Sequence, residues 1–337
     1  MNNTIVIAEA GVNHNGDISL AKKLIKVAAD SGANYVKFQS FVADKLVTKF
    51  SDCASYQNRN NLVSQTQLDM LRKLELKEDD YYTLIKECAN HDIGFLSSPF
   101  DIDAIKFLKR LNIDYLKIPS GEITNLPYLE RAASFAKPII LSTGMSTLTE
   151  IEAALNILYK GGCKKNNVNL LHCISEYPAP KEIVNLNFIT TLKKNFGVNV
   201  GYSDHTMGIE IPIAAVALGA NIIEKHFTLD RGMEGPDHKA SLEPIELKEM
   251  VKSIRSIDLA LGSGVKDISL IEKENAKIVR KSLVAINEIK IGDLFTEENV
   301  GIKRPGTGIS PMRLEEVLGQ KATKSFGIDQ IIELDYE

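Results

Sequence analysis

From residue 5 to residue 228 the chain alternates short apolar runs with longer amphipathic stretches. The apolar runs fall at 5–8, 35–39, 94–97, 115–118, 138–141, 168–171, 198–202 and 221–223. Between them the hydrophobic spacing lengthens toward the helical period, at 20–31, 66–73, 78–91, 101–111, 126–135, 148–159, 186–194 and 207–220. Eight strands separated by helices, without a long break, predict an α/β chain folded as a (β/α)₈ barrel. A doubly wound open sheet is the alternative, but its first turn is commonly GxGxxG. Residues 11–16, Gly-Val-Asn-His-Asn-Gly, have the wrong spacing for that turn. The polar segment 44–65 is longer than a connection needs to be, which predicts a functional or mobile loop.

Beyond the eighth run the texture changes. An amphipathic helix at 244–261 leads through Gly262-Ser263-Gly264 to a second helical stretch at 269–279. From Arg280 the pattern shortens to strands at 282–285, 300–303 and 330–334, with one small helix at 314–318. The expected organisation is a barrel over 1–262, a linker over 263–279 and a compact β-rich module over 280–337. Alone, that module would bury little core, so it is expected to lean on the barrel or on a second subunit.

Composition adds mainly exclusions. Hydrophobic residues make up 44% and charged residues 25% of the chain, with a net charge of −4 and the two signs interspersed. No basic stripe of the kind that binds nucleic acid is present. No apolar run approaches the ~18 residues of a membrane span, and the start lacks a basic-then-apolar leader, so a cytoplasmic protein without a membrane partner is expected. The four cysteines, Cys53, Cys88, Cys163 and Cys173, have no CxxC spacing and read as small buried residues, a nucleophilic Cys173 beside His172 being the minority alternative.

In a barrel the C-terminal strand ends converge on one cavity. The polar residues there are Glu9, then Lys37 and Gln39, Ser98, then Lys117, Ser120 and Glu122, and Ser142. His172, Ser175, Tyr177, Ser203, Asp204, His205, Glu224, Lys225 and His226 complete the set. Two strand-end lysines with serines between them make an anion pocket suited to phosphate; salt-bridged scaffold is the competing reading. His205 and His226, on neighbouring strand ends, suit a divalent first-row metal such as manganese, cobalt or zinc, although a lone barrel histidine is more often a hydrogen-bonding group. His172 reads as a supporting residue, His14 as a loop contact or cap, and His91 as solvent-facing. Gly235-Pro236-Asp237 reads as a rigid turn presenting Asp237 on the catalytic face.

These residues carry a resemblance. Ile7-Ala-Glu-Ala-Gly-Val-Asn-His-Asn-Gly16, Val36-Lys-Phe-Gln39, Lys117-Ile-Pro-Ser-Gly-Glu122 and Leu141-Ser-Thr-Gly-Met145 open the series. Leu171-His-Cys173, Glu176-Tyr-Pro178, Tyr202-Ser-Asp-His-Thr206, Glu224-Lys-His-Phe-Thr228 and Gly235-Pro-Asp237 continue it, in order along nearly the whole chain. The chain resembles the sialic acid synthases, the bacterial nonulosonic acid synthases, and the tail around Lys303-Arg-Pro-Gly306 resembles that family's antifreeze-like (SAF) domain. The resemblance implies an enzyme that condenses phosphoenolpyruvate with an N-acyl amino sugar, expelling phosphate by C–O cleavage to give a nine-carbon ketoacid. The sugar it implies is N-acetylmannosamine or a 2,4-diacetamido-trideoxyhexose; a pseudaminate synthase, or another phosphoenolpyruvate-condensing synthase, is the alternative. It implies a divalent ion, manganese first with magnesium or cobalt as alternatives, held by His205 and His226. It implies phosphoenolpyruvate held by Lys37, Ser98, Lys117, Ser120, Ser142, Ser175, Tyr177 and Ser203, and the sugar contacted by Glu9, Gln39, Glu122 and Asp237. Glu9 or Glu122 would handle the attacking water, with Lys37 and Lys117 offsetting charge. Arg304 would reach the sugar's acyl group from the partner of a homodimer. The pocket for the sugar's far end is expected partly within 44–65 and 181–184.

Overall fold

The computed structural model describes residues 4–53 and 66–334. The chain divides into two compact units, Met1–Gly262 and Ser263–Glu337. In the first unit the strands are β1 (Ile5–Gly11), β2 (Tyr35–Ser40), β3 (Gly94–Pro99), β4 (Leu116–Ile118), β5 (Ile139–Ser142), β6 (Val168–Cys173), β7 (Asn199–Asp204) and β8 (Ile222–His226). All pairings are parallel and the order is β3-β2-β1-β8-β7-β6-β5-β4. β1 thus lies between β2 and β8, and β3 lies alongside β4. This is the expected (β/α)₈ barrel.

Alternation along each strand sorts side chains into two environments. Val6 and Ala8 of β1, Val36 and Phe38 of β2, and Ile223 of β8 face the large outer core, packed against the helices. The inward positions begin with a second, smaller apolar cluster of Ile7, Leu96, Ile140, Leu171 and Ile222, with Ile5, Tyr35 and Tyr115 against it. Two residues further along the same inward rows stand Glu9, Lys37, Ser98, Ser142, Cys173 and Glu224, so the aliphatic cluster is the floor beneath a polar layer.

The strands at the opening run further than the apolar runs predict. β7 extends through Asp204 and β8 through His226, because buried polar side chains continue the ladder where hydrophobicity has ended. The intervening helix shortens to Glu210–Ala217, since Gly208 adopts a φ of +81° that ends the turn before it. Part of the segment expected as a long polar loop is a short helix, Ala43–Leu46, and 54–65 lie outside the described residues. Among the described residues the cysteines are free, and no helix is long and apolar enough to cross a membrane.

The second unit contains the helix Leu270–Val279 and an antiparallel pair, β9 (Ser282–Ala285) and β10 (Val300–Lys303). Leu283, Ala285, Ile289, Phe295, Val300, Val317, Phe326 and Ile332 form its own small core. The strand expected at 330–334 is reduced to a single bridge between Ile331 and Val284.

Candidate active site

The C-terminal end of the barrel opens into a cleft of about 410 Å³. Its floor is a cluster of four buried ionisable groups from four strands. Lys37 Nζ donates to Ser98 Oγ at 2.8 Å and lies 3.2 Å from Glu9 Oε2 and 3.3 Å from Glu224 Oε2. Lys117 Nζ donates to Ser142 Oγ at 2.8 Å and lies 3.5 Å from Glu224 Oε1. Ser203 Oγ completes the set by donating to Glu224 Oε1 at 2.9 Å.

Four such groups at this depth cannot be independent. Burial raises both carboxyls, but Lys117, Lys37 and the Ser203 hydroxyl overcome it at Glu224, which falls to about 2. At Glu9 burial prevails, with Glu224 adding to it against Lys37, and the carboxyl is pushed up to about 8. Burial lowers both lysines as well; Glu224 and Glu9 reverse this at Lys37, while Lys117 stays depressed. Glu224 is therefore the carboxylate held ionised, shared between two ammoniums, and Glu9 is the carboxyl that keeps a proton more readily. Such a floor has an excess of positive charge and attracts an anion.

The rim carries the histidines. His205 Nδ1 bonds the Ile174 carbonyl at 2.5 Å, which assigns the proton to that nitrogen and leaves Nε2 as the acceptor, 3.5 Å from Ser203 Oγ. The rings of His205 and His226 lie 5.5 Å apart, and Tyr177 packs against His205 at 4.0 Å. His226 Nδ1 is buried without a hydrogen-bond partner and lies 3.8 Å from Asp237 Oδ2. Burial holds His205 down to about 4 and His226 further below its usual range, while it raises Asp237 to about 6. Two neutral imidazoles that line one cleft 5.5 Å apart, with His226 Nδ1 orphaned, fit a divalent ion. Among the described residues no group of three or more His, Cys, Asp or Glu donors is gathered for a metal, so water and substrate would complete the coordination.

Between the loops that follow β4 and β5, the Gly144 N–H donates to Ser120 Oγ at 3.0 Å. A Cβ at Gly144 would collide with the hydroxyls of Ser175 and Ser120, so the Ser-Thr-Gly motif is needed for the close approach of three loops. Cys173 is a buried neighbour of Ser120 at 3.3 Å, with its thiol pushed up by burial.

Thirteen of the fifteen sequence-predicted site residues line this one cleft: Glu9, Lys37, Gln39, Ser98, Lys117, Ser120, Ser142, Ser175, Tyr177, Ser203, His205, His226 and Asp237. Glu122 instead borders an adjoining hollow of about 310 Å³ with Lys45, Asp101 and Asp103, and accepts from Asn125 Nδ2 at 2.6 Å. The reason is local: Ser120–Glu122 forms a 3₁₀ turn that carries Glu122 away from the barrel axis. Arg304 belongs to the second unit and follows β10. Neither the turn Lys181–Ile183 nor Val184 lines the cleft, whereas Leu46, from the 44–65 segment, does.

A NeuB family model matches residues 24–266, which take in β2 to β8 of this cleft. The chain belongs to the NeuB family. A SAF domain model matches residues 280–335 of this NeuB family member. It is 55% identical over 332 residues to the N,N'-diacetyllegionaminic acid synthase of Campylobacter jejuni, covering 98% of this chain and 99% of that protein. It is 47% identical over 319 residues to the N,N'-diacetyllegionaminic acid synthase of Legionella pneumophila, covering 94% of this chain and 89% of the relative. Among solved structures, the N-acetylneuraminic acid synthetase of Leptospira borgpetersenii in complex with citrate superposes with a TM-score of 0.73 at 37% identity, over 81% of this chain and 90% of that one.

Among the charged residues that line this NeuB cleft, Glu224 is the one without an expected task. It stands in the Glu-Lys-His string beside a more conspicuous histidine. Its signal was the inward register shared with Ser203, which the parallel pairing of β7 and β8 makes explicit.

Proposed function

We propose that the protein condenses phosphoenolpyruvate with a 2,4-diacetamido-2,4,6-trideoxyhexose to give an N,N'-diacetyllegionaminate-type nine-carbon ketoacid and phosphate. The observation that carries this reading is the joining, in one cleft, of a two-lysine anion floor and an open histidine pair. The choice of sugar rests on the two legionaminic acid synthases among the relatives.

Lys37 and Lys117 bind the phosphate and carboxylate of phosphoenolpyruvate, assisted by Ser98, Ser120, Ser142, Ser175, Tyr177 and Ser203. They offset the negative charge that builds as the phosphate leaves. Glu9, the carboxyl that keeps a proton more readily, is suited to hold one against the sugar or the attacking water. Gln39 and Asp237 orient the sugar at the rim. His205 and His226 would hold a divalent ion, manganese in the first instance, whose Lewis acidity makes the open-chain aldehyde carbon electrophilic. Glu122, from the adjoining hollow, serves the far end of the sugar rather than the reacting carbon.

The active unit is a homodimer in which the SAF domain of one chain covers the cleft of the other and brings Arg304 to the sugar's acyl group. The helix Leu270–Val279 supports this: it has no buried residue, leaving Leu270, Ile271, Ile278 and Val279 uncovered. A cytoplasmic location follows from the supply of phosphoenolpyruvate.

The test is phosphate release by the purified, manganese-loaded enzyme with phosphoenolpyruvate and a panel of sugars. The diacetamido-trideoxyhexose of the legionaminate type should turn over fastest, ahead of N-acetylmannosamine and the pseudaminate precursor. Oxygen-18 supplied as water should enter the ketoacid; label in the phosphate would refute the C–O cleavage.

A further inference from the structure

One fully buried ion pair has no place in the chemistry above. Lys225 and Asp204, each with 0% side-chain exposure, meet at 2.5 Å. They occupy directly paired positions on β8 and β7, one step beyond the inward pair Ser203–Glu224 and one step before the two histidines. Alternation turns them outward: Ser203, His205, Glu224 and His226 line the cleft, and Asp204 and Lys225 do not.

The bonds of this pair converge on the turn that carries His205. Thr206 N–H donates to Asp204 Oδ1 at 3.0 Å and Thr206 Oγ1 to Asp204 Oδ2 at 3.1 Å. Lys225 Nζ donates to the Thr206 carbonyl, and Tyr202 OH donates to Asp204 Oδ1 at 3.1 Å. The paired residues of β7 and β8 end at Asp204 and Lys225. Past that point His226 stays paired with Glu9 of β1 and its carbonyl accepts from the Leu242 N–H, while the His205 carbonyl accepts from the Ala179 N–H; no β7–β8 pairing joins residues 205 and 226 directly. We propose that Asp204 and Lys225 are positioning residues that clamp the Thr206 peptide and so set the distance between His205 and His226 for a divalent cation. The inference rests on the histidine-pair reading of the metal site.

A buried ion pair adds little net stability over an apolar pair of the same volume, so stability alone is a weak reason to keep one here. Groups behind metal ligands typically change affinity by about 10–100-fold when removed. Two variants of the metal-stripped enzyme test this, Lys225→Met and the double variant Asp204→Asn/Lys225→Met, with Mn²⁺ binding read by calorimetry and folding by thermal melts. The double variant leaves no unpaired buried charge, so it keeps the test available if the single variant fails to fold. Expected is Mn²⁺ binding weakened about 10–100-fold in whichever variant folds, with kcat recovering at saturating Mn²⁺. A folded variant that binds Mn²⁺ within twofold of the parent overturns the clamp and leaves a purely structural pair. His205→Ala serves as the control: unchanged Mn²⁺ binding there would refute the metal site itself, a result distinct from failure of the clamp.

Discussion

Replacing Lys37 by methionine keeps most of the side chain's unbranched stem and removes its charge. The ammonium contacts Ser98, Glu9 and Glu224 in the resting cleft. At about 3 Å and an effective dielectric of about 20, its attraction to one phosphate charge is on the order of 5 kcal/mol. Part of this is offset, because an arriving phosphate must compete with Glu224. A net loss of about 2–3 kcal/mol remains, in line with hydrogen bonds to charged groups and equal to about 30–150-fold in affinity. The fold should tolerate the change, since Glu224 keeps Lys117 and burial already raises the Glu9 carboxyl, so that it can take up a proton. Calorimetric titration of the folded Lys37→Met protein with phosphoenolpyruvate, in the absence of sugar, measures the effect directly. A dissociation constant within twofold of the parent's would refute the anion floor and return Lys37 to the scaffold.

Three further outcomes are expected. Arg304→Ala should raise the KM for the sugar while leaving that for phosphoenolpyruvate unchanged; a pure kcat loss would contradict a binding role. Mixing His205→Ala with Arg304→Ala chains, after subunit exchange, should restore about one intact site in four at low sugar, because half the dimers are mixed and one of their two sites is complete. No recovery would place Arg304 in the cleft of its own chain. His14, buried and held neutral with its pKa lowered to about 4, should make the fold acid-sensitive. Its folded pKa lies below the unfolded value, so its contribution is whole above pH ~6.5 and fades as pH falls toward 4, costing on the order of 2 kcal/mol at pH 5. Urea melts at pH 7 and pH 5 should show this loss in the parent and a smaller one in His14→Asn.

The barrel was legible because each strand's apolar run and each helix's amphipathic face repeat in step, and the cleft was legible because its residues sit where those runs stop. What the pattern hid has physical causes. β7 and β8 continue as strands into polar residues, so hydrophobicity marked their ends too early. Glu122 follows two strand-end cleft residues in sequence, yet a 3₁₀ turn carries it into the adjoining hollow, a change of direction that residue types do not announce. Glu224 and Lys225 are adjacent charged residues with opposite surroundings, one facing the cleft and one the outer core. Only the register with Ser203 and Asp204 separates them. The protonation pattern was equally invisible, because it depends on two carboxylates competing for the same ammonium.

The pairing of β1 with β8 also sets a timetable. Glu9 and Lys37 leave the ribosome early, whereas Glu224 and His226 follow much later; Asn13 bonds Phe227 across a separation of 214 residues. At about 5–20 residues per second, the first strand waits roughly 10–40 s for its second neighbour. During that interval its N–H and C=O groups are an open edge, and its acid has no complete set of partners. A ribosome stalled before β8 would therefore hold a chain that already contains Lys37 and Lys117 but lacks Glu224 and His226, with no closed ring. Such a nascent chain is one that chaperones should recognise by this unpaired first strand.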